Sequence, residues 1–195
     1  MAVRKPLINE PGIYFITFTC YRWLNLFAIA DAYDLIYKWF DQLKKEKQYV
    51  LAYVIMPNHI HLLLAYNHTK TLNSIIGTGK RFLAYDIIEK LKHIPATEIL
   101  EQLRSGVNKS DAERNKLHEA FEESFDAKIC FSKDFLMQKL NYIHNNPCSK
   151  NWMLAPDPAS YLHSSALYYY TGTHSKYHIH SWTELYMNGI SDSEP

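Results

Sequence analysis

The stretch Tyr53-Val-Ile-Met-Pro57-Asn-His59-Ile-His61-Leu-Leu-Leu-Ala65 decides the fold. Apolar residues run up to Met56, Pro57-Asn58 breaks the run, and a second apolar run opens after His61. This pattern predicts two buried strands, Tyr49 to Met56 and His59 to Tyr66, joined by a tight turn. Alternate side chains of a strand share a face, so His59 and His61 point the same way and Ile60 points into the core. Two imidazoles side by side on a rigid strand are half of a metal site. A bare His-x-His is more often a hydrogen-bonded structural pair, so the weight falls on what the rest of the chain supplies.

Working outward, Ile13 to Cys20 is rich in aromatic and β-branched residues and predicts a strand. Ala32 to Gln48 spaces Leu35, Ile36, Trp39, Phe40 and Leu43 as a helix does, with Asp31 as a candidate cap and lysines in the last turn. Thr71 to Leu91 reads as a second helix, weakened by Gly77 and Gly79. Ala96 to Glu123 suggests short helices with a break at Gly106. Ala127 to Phe131 suggests a strand, and Lys133 to Asn146 a helix capped by Ser132 and stopped by Pro147. A Tyr-rich tail follows, with a frayed end from about Gly189.

Strand-helix-strand-strand-helix-strand is the split βαβ, ferredoxin-like arrangement. The expected class is therefore α+β: an antiparallel sheet with helices on one face, plus extra helices and a C-terminal tail. Residues 1–195 read as a single domain, with a core over about 10–150 and a tail over 151–195.

Twenty-one basic residues against 20 acidic ones leave a net charge of +1. A general DNA-coating protein would be far more basic, so any nucleic-acid contact must come from local positive charge. The 47% hydrophobic content excludes a disordered chain. No apolar run approaches the roughly 18 residues of a membrane span. Three cysteines without a Cys-x-x-Cys argue against a disulfide scaffold or zinc knuckle. Together with the absence of a signal-like N-terminal segment, they point to the cytoplasm.

The last helix supplies the other half of the site. Tyr142 and Asn146 lie four residues apart, hence on one helix face, and Gln138 continues the stripe. Leu140 and Ile143 point elsewhere and can anchor the helix. A tyrosine hydroxyl is a poor nucleophile near pH 7, because its unperturbed pKa is about 10. It needs an adjacent positive centre or base, plus an electrophile made more reactive by a metal. His59, His61 and Asn146 would hold such a metal and leave positions open for a phosphate oxygen. Mn²⁺ or Mg²⁺ would suit this role, although imidazoles by themselves lean toward Zn or Ni.

Met56-Pro57-Asn58-His59-Ile60-His61-Leu62-Leu63, followed by Tyr142-Ile143-His144-Asn145-Asn146-Pro147, resembles the single-tyrosine transposases of the His-hydrophobic-His superfamily, most nearly the REP-associated branch. The resemblance runs in order from about residue 10 to 172 and is strong in these two motifs. It implies a metal-dependent DNA strand transferase whose tyrosine attacks a single-stranded DNA phosphodiester. The products are a 5′-phosphotyrosine link and a free 3′-OH, on a substrate that carries a hairpin. By position it assigns Tyr142 as nucleophile and His59, His61 and Asn146 as metal ligands. Monomers and homodimers sharing sites both occur among such enzymes, and no membrane is involved.

Lys80, Arg81 and Lys139 are candidate phosphate contacts. Phe82 and Trp152 are candidates for base stacking. His178 and His180, in the tail, form a rival pair that lacks a rigid strand platform. His144 faces away from Tyr142 and reads as structural or orienting. The sequence is also compatible with two other functions: a hairpin-binding relative without cleavage activity, and a ferredoxin-like RNA-binding module reading bases on an open sheet.

Overall fold

In the computed structural model, which describes residues 10–183, the quoted stretch forms two antiparallel strands. These are β2 (Tyr49–Ile55) and β3 (His59–Tyr66), joined by a turn that Met56 N–H closes on the His59 carbonyl at 2.8 Å. β1 (Gly12–Thr19) pairs antiparallel with β3 from Gly12 opposite Tyr66 to Thr19 opposite His59, and with β4 (Asp126–Ile129) on its other side. The resulting order, β2-β3-β1-β4 with antiparallel neighbours, is that of a ferredoxin-like sheet. The expected frayed end from about Gly189 lies outside the described residues.

Among the described residues, seven α-helices decorate the sheet. They are α1 (Leu26–Ile29), α2 (Tyr33–Lys45), α3 (Leu72–Lys92), α4 (Thr97–Ser105), α5 (Lys109–Ala112), α6 (Lys133–Asn145) and α7 (Ala166–Thr171). Ser132 caps α6 as expected, accepting from the Phe135 N–H at 3.2 Å. Asp31 does not cap α2. It adopts a left-handed φ of 46°, and the N-cap position falls to Ala32, with no side-chain bond. Pro147 ends α6, and the chain continues through a short 3-10 turn, Asn146–Cys148.

The sheet separates two cores. On one face Tyr14, Ile16 and Phe18 of β1 and Ile60, Leu62 and Leu64 of β3 meet Ile36 and Phe40 of α2 and Ile76 and Leu83 of α3. Gly79, a poor helix former, is needed there. A Cβ at this position would collide with the indole of Trp39, so glycine lets α3 approach α2. On the opposite face Phe15, Val54 and Leu63 meet Leu136, Leu140 and Ile143 of α6 in a smaller cluster. The expectation of helices on one face holds for α2 and α3, while α6 crosses the other. An RNA-reading module would need that face open.

The tail runs along the free edge of β2. Ile55 N–H donates to the His163 carbonyl (2.9 Å) and Ser165 N–H to the Tyr53 carbonyl (3.0 Å). The hydroxyls of Tyr161 and Tyr169 donate to the carbonyls of Ile55 and Leu51. The edge strand's polar groups are thereby satisfied within the chain. Among the described residues, no helix is long and apolar enough to cross a membrane.

Candidate active site

The site begins with strand register. His61 stands opposite Thr17, and its Nδ1 pairs with Thr17 Oγ1 at 2.6 Å. His59 Nδ1 donates to Asn58 Oδ1 at 2.7 Å, an orientation fixed because Asn58 Nδ2 donates to the Trp23 carbonyl at 2.9 Å. With both Nδ1 atoms engaged, each ring keeps Nε2 for another partner. Hydrogen bonds of this kind, to the second nitrogen, orient metal-binding histidines.

Both imidazoles are almost fully buried, at 4% and 5% exposure. Burial pushes the His59 pKa down to about 4, opposed in part by the Asn146 side chain beside it. Burial, then the charges of His59 and Lys139, push His61 down to about 3. At neutral pH both rings are therefore uncharged, the form that coordinates metal.

α6 delivers the remaining groups. Its anchors Leu140 and Ile143 are buried under the sheet, which leaves Tyr142 48% exposed at the rim. The Tyr142 ring stands edge-on to His61 at 5.0 Å and to Phe15 at 5.9 Å. One turn on, Asn146 lies beside His59. Asn146 Oδ1 and His61 Nε2 are both buried without a hydrogen-bond partner. Buried polar atoms are rarely left unpaired, and here the two belong to neighbours of His59, with Asn146 beside it and the His61 ring 4.7 Å away. Among the described residues, no cluster of three or more His, Cys, Asp or Glu side chains is arranged to hold a metal. A third protein ligand would therefore be the Asn146 amide. Two imidazole nitrogens and one amide oxygen fit a divalent cation with open positions.

The family described as "Transposase IS200 like" matches residues 13–146. The chain belongs to that family. Its fold is similar to a solved structure described as the REP-associated tyrosine transposase bound to a REP hairpin, with a TM-score of 0.57 and 14% identity over 88% of this chain and 87% of that one. A Deinococcus radiodurans R1 protein assigned as a transposase is more distant, with a TM-score of 0.44 and 16% identity over 74% of this chain and 97% of that one, and nothing rests on it. No curated protein matches the chain in sequence.

This transposase does not gather all the expected cations at the site. Lys139 is in place: its ammonium lies 5.8 Å from the Tyr142 ring centre and 5.0 Å from that of Phe15. Lys80 is on the other side of the sheet, on the buried face of α3. Its ammonium donates to the carbonyls of Glu122 (2.6 Å) and Glu123 (3.1 Å), so it ties down the segment before β4 and is not offered to DNA. Arg81 is exposed on the same helix, beside Phe82, away from the His pair.

In the rival pair, His178 packs against His174 at 3.7 Å, while His180 stands edge-on to Tyr49 at 4.9 Å. His144 is buried and bonded to Ser165 Oγ at 3.0 Å, tying α6 to the tail. Thr17, Asn58 and Trp23 were not singled out by sequence as site residues. Asn58 lay inside the quoted motif but carried only a turn signal. Thr17 could have been found by pairing β1 against β3.

Proposed function

We propose that this transposase nicks and rejoins single-stranded DNA at hairpin-bearing ends, with Tyr142 as nucleophile. His59, His61 and Asn146 would hold a divalent cation, Mn²⁺ or Mg²⁺. Bound there, the cation would supply positive charge that makes a scissile phosphorus more electrophilic. The observation that carries the reading is the placement of Tyr142 against His61, near two buried polar atoms, His61 Nε2 and Asn146 Oδ1, that have no hydrogen-bond partner.

The chain's own groups divide the work. Tyr142 is exposed enough to meet a DNA strand and is held in place by the buried anchors of α6. Its oxygen forms a bond to phosphorus as the P–O3′ bond breaks. The tyrosine proton passes to solvent and the departing oxygen becomes a 3′-OH. One phosphodiester replaces another, so a second 3′-OH can reverse the step without an energy source. Lys139 sits where it would neutralise a non-bridging phosphate oxygen. Asn58 keeps His59 in the tautomer that presents Nε2, and Thr17 holds the orientation of the His61 ring.

Nucleophile and ligands come from one chain, so a single molecule carries the full set. We read residues 1–195 as one unit, with residues 10–150 as its core and 151–195 as a tail. The hairpin follows from the resemblance of the motifs, and the hairpin-bound relative of similar fold supports it.

The test is an assay with labelled hairpin oligonucleotides carrying single-stranded flanks, in Mn²⁺. The wild-type protein should yield a covalent adduct stable to denaturation. Tyr142→Phe should yield none, and an adduct from that variant would remove Tyr142 from the role.

A further inference from the structure

Trp23 carries two costs that packing does not return. It is 60% exposed, so most of its apolar surface stays in water. It also follows Arg22 in a turn where both residues adopt left-handed conformations, with φ of 49° and 59°. For non-glycine residues each such conformation is unfavourable by about 1–2 kcal/mol. Strain of this kind persists only where the surroundings enforce it, and it collects at functional sites.

The surroundings here enforce it. Arg22 N–H donates to Glu122 Oε1 at 2.7 Å. Trp23 N–H donates to the Cys20 carbonyl at 3.0 Å. The Trp23 carbonyl accepts from Asn58, the same residue that orients His59. The indole is thus fixed at the edge of the site, standing against the His59 ring at 5.6 Å. Shielding His59 would explain that contact but not the exposed remainder of the ring. Trp152 approaches the same imidazole at 5.5 Å, half-buried, and serves as a wall. Trp23 is the member with a face to offer, and the exposed Arg22 brings positive charge next to it. An aromatic face beside a cation is what unpaired bases on a phosphate backbone bind.

We propose that Trp23 is a positioning residue for single-stranded DNA, stacking on the nucleotide 5′ of the scissile phosphate. The side follows from in-line displacement: the departing O3′ lies opposite the attacking oxygen. Tyr142 sits at the His61 end and Trp23 at the His59 end. The departing nucleotide therefore leaves toward Trp23. The inference rests on the reading of Tyr142 as nucleophile.

The experiment uses a hairpin oligonucleotide that the wild-type protein cuts, with its cut mapped. Affinity is measured at fixed salt in the Tyr142→Phe background, which blocks turnover. Adding Trp23→Ala should weaken binding about 5- to 100-fold, the range for losing one stacked base. Trp23→Leu, which keeps apolar bulk without a π-face, should behave like alanine, and Trp23→Phe should retain most of the affinity. Making the nucleotide 5′ of the cut abasic should abolish the difference between Trp23 and alanine, whereas an abasic 3′ nucleotide should leave it. Mn²⁺ affinity without DNA should stay within about twofold. An equal loss on both abasic substrates, no loss at all, or a collapse in Mn²⁺ affinity would overturn the proposal. If the wild-type protein cuts no hairpin oligonucleotide, the reading of the site falls and this one with it. If it cuts and Trp23→Ala binds normally, only the stacking role falls.

Discussion

On the α2–α3 side of the sheet, β1 presents Tyr14, Ile16 and Phe18 to a broad aromatic core. On the α6 side the same strand presents Phe15 and Thr17 to a smaller cluster, and β3 adds His59 and His61. Period-two alternation thus sorts one strand pair into a face that holds the fold and a face that holds the proposed site. The first face has ample apolar area to hide. The second tolerates unpaired polar atoms, because the first supplies the stability that they cost.

The comparison predicts a crossed pattern of mutational effects. The largest should come from Tyr142→Phe, which should lower cleavage at least about a thousandfold, about 4 kcal/mol of barrier. Its denaturation midpoint should stay put, because Tyr142 is half-exposed. A large stability loss would mean that the chemical face also supports the fold. Phe40 is its counterpart, buried among Tyr37, Trp39, Tyr53 and Tyr177. Phe40→Ala should cost about 3–5 kcal/mol of stability in urea titration, with the surviving folded fraction still active.

Lys80 adds a pH test of the supporting face. Burial lowers its pKa from 10.5 to about 8. Between these values the unfolded chain holds a proton that the folded chain has lost, so folding gains stability as pH rises through this window. The gain amounts to about 3 kcal/mol at full extent. Against Lys80→Met, the wild-type protein should gain stability between pH 7.5 and 10. Buried acids such as Cys20, whose thiol burial pushes up, act the other way in both proteins and cancel. A constant gap between the two midpoints would show that Lys80 keeps its proton. The smallest effect should be Thr17→Val, which frees His61 Nδ1 and should weaken Mn²⁺ binding about 10- to 100-fold without touching the larger core. Unchanged affinity would mean that packing alone orients that ring.

Much of this was legible in the sequence where signals are local. The His59 and His61 alternation, the Ser132 cap and the one-turn spacing of Tyr142 and Asn146 each lie within a few residues. What sequence could not supply was direction across long separations. Charge identified Lys80 and Lys139 equally, yet one reaches into the segment before β4 and the other to the site. Helical periodicity in α6 told which residues share a stripe, but not that the stripe would cross the face opposite α2 and α3. Trp23 lay in a stretch with no periodicity, and its left-handed backbone follows from Glu122 and Asn58, far along the chain.

The division of the site between β3 and α6 also bears on synthesis. The His pair leaves the ribosome some eighty residues before Tyr142 does. β1 cannot complete its pairing until β4, which follows α5, has been made. A chain that stops short of α6 therefore has no Tyr142 to place against its imidazoles. The proposed site is completed only in the final third of translation, once the sheet has closed around β1.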